Sequence, residues 1–208
     1  GEVRAEAGFE VIELPSLSYA FIGWNVLAPE AYMADRRARR CGAGNDCAEP
    51  DEAILRLQAT MPHPVLSDAR VRRALTLGID RDDIVEGVWR GHAVAGSSPI
   101  PSSLWAHDPG AALPFDPAAA ARLLDEAGFA GRDPDGVRTR DGRRLELRVL
   151  QNADNATRRD AFDRAAVSLA RLGVKLIPDP VPRAEFNARA RDKAFDAVLS
   201  GWSAGTRI

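Results

Sequence analysis

The sequence predicts an α/β domain, a sheet with helices packed against it, and three observations carry that prediction. Its C-terminal half alternates strand-like and helix-like segments, its middle holds amphipathic helices with clear caps, and its composition suits a packed core. The chain has 208 residues, 45% hydrophobic and 28% charged. That is long enough to bury a sizeable core and unlike a disordered or membrane-embedded chain.

The first ordered signal is FEVIELPSLSYAFIGWN. Phe9, Val11 and Leu14, then Tyr19, Phe21, Ile22 and Trp24, predict two short strands broken at Pro15. From Ala28 to Pro64 the character changes to Pro, Gly, a basic cluster (Arg36, Arg37, Arg39, Arg40) and two cysteines, with one helix-like stretch, EPDEAILRLQATM. This reads as an inserted surface excursion at about 28–64. The nearby acids Asp35, Asp46, Glu49, Asp51 and Glu52 make the basic cluster a solvated face rather than an anion-binding patch.

A helix follows with Ser67 or Asp68 as its N-cap and Val71, Ala74 and Leu75 on one face. The next has Asp80 as N-cap with Asp83 three residues on, Ile84 and Val88 on one face, and Gly91 placed to end it. A long proline-containing loop then reaches Asp116-Pro117, a strong helix start, whose helix buries Leu123, Leu124 and Ala127 and stops at Gly128. Asp141-Gly142, between Val137 and Leu145, Leu147, Val149, signals a two-residue hairpin. A helix from about Ala156 to Leu172 presents Phe162, Ala165, Leu169 and Leu172, and Gly173 ends it. The strand VKLIP, a short helix from about Pro182 to Asp192 and the strand AFDAVLSG complete the alternation.

No run approaches the roughly 18 apolar residues that span a bilayer. The opening GEVRAEAGFE lacks the apolar core of a signal peptide, so the chain is read as cytosolic or as one whose targeting segment has been removed. The net charge of −2 argues against a nucleic-acid partner. Of the 28 basic residues two are lysines, Lys175 and Lys193, and the other 26 are arginines spread along the whole length, a pattern read as genome bias. His63, His92 and His107 have no second ligand at useful spacing, which leaves no metal site, and no nucleophile elbow, phosphate loop or dinucleotide fingerprint is present. No catalytic constellation emerges, and no cofactor is implied. Cys41 and Cys47 are spaced C-x5-C, which fits neither a redox pair nor half of a zinc site. A small loop-closing disulfide in an oxidising compartment is one reading, and two free thiols in a cytosolic loop is the other.

The order of segments carries the functional signal. SYAFIGWN, SDARVRRALTLGIDRDDIVEGVWRGHA, SPIPSSLWAHDP, LPFDPAAAARLLDEAGF, DGRRLELRVL and FDAVLSGW together resemble the extracytoplasmic solute-binding proteins of peptide and nickel ABC importers, family 5. The resemblance runs from about Ser18 to Trp202. It implies a periplasmic-binding-protein-like (type II) lobe, a mixed sheet flanked by helices, and a protein without catalytic activity. Such a protein closes two lobes over a peptide or other small solute and delivers it to a membrane permease. Its home would be the periplasm or a cell-surface lipoprotein. Family members are more than twice this length, so the resemblance implies that residues 1–208 are the C-terminal lobe alone, with an N-terminal lobe as its missing partner.

The resemblance also suggests site residues. Tyr19, Trp24 and Asn25 match the hinge-proximal strand that supplies aromatic and amide groups near the ligand. Trp202 matches a tryptophan beside the ligand, with backbone groups at Leu199, Gly201 and Ser203. An indole can cover a peptide side chain, and strand-edge amides can pair an extended peptide. One position departs: Gly205 stands where peptide binders of the family place an aspartate against the ligand's α-ammonium group. Losing that buried charge partner costs about 2 to 5 kcal/mol, which points to solutes with a blocked or differently anchored terminus. The competing reading is a solute-sensing domain of a transcriptional regulator.

Overall fold

Period-two alternation builds the sheet. In Glu146–Asn152, Leu147 and Val149 enter one hydrophobic cluster and Leu150 the other, so the strand is covered on both faces. The computed structural model of the chain describes residues 17–39 and 51–203, except positions 97, 103, 109 and 111, and of 51–55 the backbone only.

The elements in order are β1 (Ser18–Trp24), α1 (Pro29–Ala38), α2 (Asp51–Thr60), α3 (Ala69–Leu77), α4 (Arg81–Trp89) and α5 (Pro117–Glu126). Then come β2 (Gly131–Arg132), β3 (Arg138–Arg140), β4 (Arg143–Arg144), β5 (Glu146–Asn152), α6 (Ala156–Ala170), β6 (Lys175–Val181), α7 (Arg183–Arg191) and β7 (Ala197–Ser203). The main sheet has the order β1-β7-β5-β6, and a small second sheet the order β2-β3-β4. β6 and β7 both run parallel to β5, one on each side. The chain therefore leaves β5 through α6 to β6, then crosses back through α7 to β7, and the strand order reverses at β5.

Two compact units divide the chain. The larger comprises residues 20–95 and 113–200. Its main core joins one face of the sheet (Leu147, Val149, Ala197, Leu199) to α3 (Val71, Ala74, Leu75), α5 (Ala120, Leu124) and α6 (Phe162, Ala165, Leu169). On the other face Leu150, Val181 and Val198 meet Phe186 of α7. The smaller unit comprises residues 1–19, 96–112 and 201–208. Within it His107 Nδ1 donates to Ile100 O at 2.7 Å, Ile100 N donates to Ser98 Oγ at 3.1 Å, and Trp105 is fully exposed.

The caps follow local chemistry. Asp68 accepts from Arg70 N, Asp80 from Asp83 N, Asp116 from Ala119 N and Asn155 from Arg158 N, each satisfying an orphan amide of a helix start. Asp141 (φ 51) and Gly142 (φ 75) both take positive φ, as the two-residue turn joining β3 to β4 requires. Asp68 and Asp80 are the expected caps, and three details differ. The left-handed residue that closes α4 is Arg90, one before Gly91. β6 extends past VKLIP to Val181 and so takes in both Pro178 and Pro180, because as an edge strand it can turn both proline nitrogens to its free side. β7 starts at Ala197 rather than Ala194, since Lys193 takes φ 53 and the carbonyls of Lys193 and Phe195 are used elsewhere.

The segment between Leu27 and Pro62 is closed at its neck. Leu27 bridges Pro62, Ala28 N donates to Met61 O, and His63 N donates to Val26 O, both at 2.9 Å. It holds a helix beyond the expected one: α1 starts on Pro29 with Glu30 in its first turn and ends with Arg36 and Arg37, an arrangement favourable to the helix dipole. α1 buries Tyr32.

Candidate functional site

At the junction of β1, the neck and β7 lies a knot of buried polar side chains. Asn25 is 7% exposed and His63 3%. Asn25 Nδ2 donates to Lys193 O (3.1 Å) and Phe195 O (2.8 Å), and its Oδ1 accepts from Leu27 N at 3.1 Å. Its backbone N donates to Asp196 O at 2.8 Å. His63 Nδ1 accepts from Val65 N (3.1 Å) and Leu66 N (2.9 Å), which fixes the tautomer and leaves the Nε2 hydrogen to donate to Asp196 Oδ1 at 3.2 Å. Asp196 Oδ2 accepts from Arg148 N at 2.9 Å. Burial pushes the Asp196 carboxyl up, but the hydrogen bonds from His63 and the Arg148 amide outweigh it and hold it below the ordinary aspartate value.

Beside the knot is a shallow cavity of about 240 Å³, lined by Trp24, Asn25, Leu27, Lys193, Phe195 and Val198. The Lys193 ammonium lies 5.6 Å from the Tyr32 ring centre and the Arg36 guanidinium 5.9 Å from it. Arg36 also pairs with Asp192 at 3.4 Å. These contacts pack α1 onto the turn before β7. Trp24 is half-buried and packs on the main core, and Leu199 is a core residue, 4% exposed.

At the far end of the β1–β7 pair, Ser18 Oγ donates to Ser203 Oγ at 2.9 Å. That bond and Asn25 N to Asp196 O set β1 antiparallel to β7. Tyr19 is half-buried, Gly201 is half-buried, and Ser203 is exposed. Trp202 is 64% exposed, far more than a core tryptophan. The candidate residues thus fall at two ends of the strand pair, Trp24 and Asn25 at one and Tyr19, Gly201, Trp202 and Ser203 at the other. Gly205, Cys41 and Cys47 lie outside the described residues. His63 and Asp196 were not legible as partners, because each looks ordinary in its own segment. Among the described residues no cluster of three or more His, Cys, Asp or Glu side chains is placed to hold a metal, and no helix is long and apolar enough to cross a membrane.

The fold is that of the type II periplasmic binding proteins. The oligopeptide-binding protein AppA from Bacillus subtilis, solved with a nonapeptide, superposes with a TM-score of 0.68 at 22% identity, over 92% of this chain and 32% of that one. The model of bacterial extracellular solute-binding proteins, family 5 Middle, matches residues 9–207, and the chain belongs to that family. It is 28% identical over 137 residues to heme-binding protein A of Haemophilus influenzae, covering 65% of this chain and 24% of the relative. It is also 28% identical over 141 residues to the dipeptide-binding protein of Escherichia coli, covering 66% of this chain and 24% of the relative. The chain thus spans about a quarter of the length of these curated relatives.

Proposed function

We propose that this chain forms part of the solute-capturing component of an ABC importer, binding a peptide or other small solute outside the cytoplasm for delivery to a membrane permease. The observation that carries the reading is Trp202, a large indole left 64% exposed at the end of a central strand, in a chain of the solute-binding family. An exposed indole beside strand-end amides is suited to cover a side chain of an extended peptide while backbone groups pair with it. Tyr19, Ser203 and the backbone of Gly201 belong to the same end of the strand pair and join Trp202 as solute contacts. A second lobe of the same protein would complete the enclosure and exclude water. With Gly205 in place of an acid, the favoured solute lacks a free α-ammonium group at that point.

The role is capture rather than catalysis. An oxidising location also favours a Cys41–Cys47 disulfide, which thiol labelling of the unreduced protein would reveal as two blocked cysteines; two reactive thiols would refute it. The function is tested by calorimetric titration of the full-length gene product with pools of N-acetylated peptides and of other small solutes. Saturable heat from one pool is expected, and the absence of binding to every pool would overturn the reading.

A further inference from the structure

Gln151 is the penultimate residue of β5, opposite Leu199 of β7 and Pro180 of β6. It is 3% exposed, and its Nε2 has no hydrogen-bond partner. Leaving a buried amide donor unused destabilises the fold, a cost that a leucine or methionine of similar size would avoid. By alternation Gln151 shares a face with Leu147 and Val149, both core residues. It therefore occupies the third place in an apolar row, where a hydrophobic side chain would pack without penalty.

The other buried polar side chains of the described region have their partners. Asn25 and His63 form the knot described above. Arg138 donates to Leu172 O and Phe129 O, Asn152 Oδ1 accepts from Asp154 N, and Ser168 Oγ accepts from Asp80 N. Two further buried atoms without a hydrogen bond, Asp133 Oδ2 and Arg144 Nε, face each other at 3.0 Å as an ion pair. Among the described residues Gln151 Nε2 is the one buried side-chain amide nitrogen without a hydrogen bond.

Its position in the topology is the second observation. β5 is the strand at which the order reverses, with parallel neighbours on both sides. In open α/β sheets ligands bind in the crevice outside the carboxyl ends of the strands at such a reversal. Gln151 stands at that end of that strand. The two observations are independent, one of hydrogen bonding and one of chain path.

We infer that Gln151 is a solute-contacting residue whose Nε2 donates to an acceptor oxygen of the bound solute, a peptide carbonyl or a carboxylate. The inference rests on the solute-binding reading above. Its test compares the full-length gene product with its Gln151→Leu and Gln151→Met variants, by calorimetric titration with a pool of N-acetylated peptides and by thermal unfolding without peptide. Both variants should melt at or above the temperature of the unsubstituted protein, because the unsatisfied donor is gone, and should bind the peptides about tenfold more weakly. Unchanged affinity overturns the inference and leaves the functional reading intact. Ligand-free melting temperatures lowered by several degrees in both variants also overturn it, since the amide then serves the fold. Failure of the unsubstituted protein to bind any peptide of the pool overturns the peptide reading itself, and this inference with it.

Discussion

The Nε2 of His63 donates to Asp196 Oδ1 across 3.2 Å, joining residues 133 positions apart in the chain. Because Asp196 Oδ2 also accepts from Arg148 N, one carboxylate ties the segment after α2, the middle of β5 and the start of β7 together. Asp196→Asn keeps the shape but replaces one acceptor with an N–H pair facing a donor. The loss should be about 1 to 3 kcal/mol, read as a lower midpoint in urea at unchanged slope. An unchanged midpoint would show that the link contributes nothing.

The same carboxylate shapes the acid limb of stability. Its folded pKa lies below its unfolded value, so the unfolded chain binds more protons as pH falls. Its contribution is fully present above about pH 4 and is lost as pH drops through the folded value. Asp68, lowered chiefly by its hydrogen bond with Arg70, acts in the same direction. Urea midpoints measured from neutral to acid pH should fall below about pH 4, and Asp196→Asn should make that fall shallower. An equally steep fall in the variant would contradict the assignment.

Asn25 spends both amide hydrogens and its oxygen on the backbone of its own fold. Asn25→Ala strands two carbonyls and one amide in a buried place, and should destabilise by about 2 to 4 kcal/mol. A residue whose chief work is solute contact would instead leave the melting temperature unchanged on truncation. Thermal unfolding of the variant separates the two roles.

Two glycines should respond oppositely to alanine. At Gly78 a Cβ would lie 2.5 Å from Leu172 Cδ1 and 2.9 Å from Leu169 Cδ2, both in the packed core. Overpacking there should cost about 1 to 3 kcal/mol. At Gly87 a Cβ would meet the Arg164 guanidinium, the free end of a flexible side chain that pairs with Asp83 on the surface. Helix propensity gains about 1 kcal/mol and the exposed pair gives up at most about 1 kcal/mol. Gly87→Ala should therefore be near neutral while Gly78→Ala lowers the melting temperature by several degrees, and the reverse ranking would refute this packing.

Caps and turns were legible because their chemistry sits at fixed short offsets: Asp68, Asp80, Asp116-Pro117, Asp141-Gly142 and Gly173 each mark a boundary from residue type alone. α1 was not, since Tyr32 is its one buried side chain and offers no apolar period. The arginines were harder still. Their even spread along the sequence reads as composition, yet Arg70 donates to Glu126 O and Arg140 to Ala127 O, so two residues of other elements satisfy the carbonyls that end α5, and Arg138 satisfies Phe129 O just beyond it. No local spacing encodes a cap supplied from another element. The candidate site divides the same way: Trp202 stood out through the order of motifs, while Gln151 and the His63–Asp196 pair owe their character to strand neighbours far away in sequence.

If the end of β7 meets a solute, Trp202 is the side chain whose loss shows it. The full-length gene product and its Trp202→Ala variant would be titrated calorimetrically with N-acetylated peptides. Because the indole is mostly exposed, the variant should unfold at the same temperature. Truncating a central aromatic contact commonly costs about 2 kcal/mol or more, so its affinity should fall at least about thirtyfold. Equal affinities of the two proteins for the same peptides would show that the end of β7 does not meet the solute.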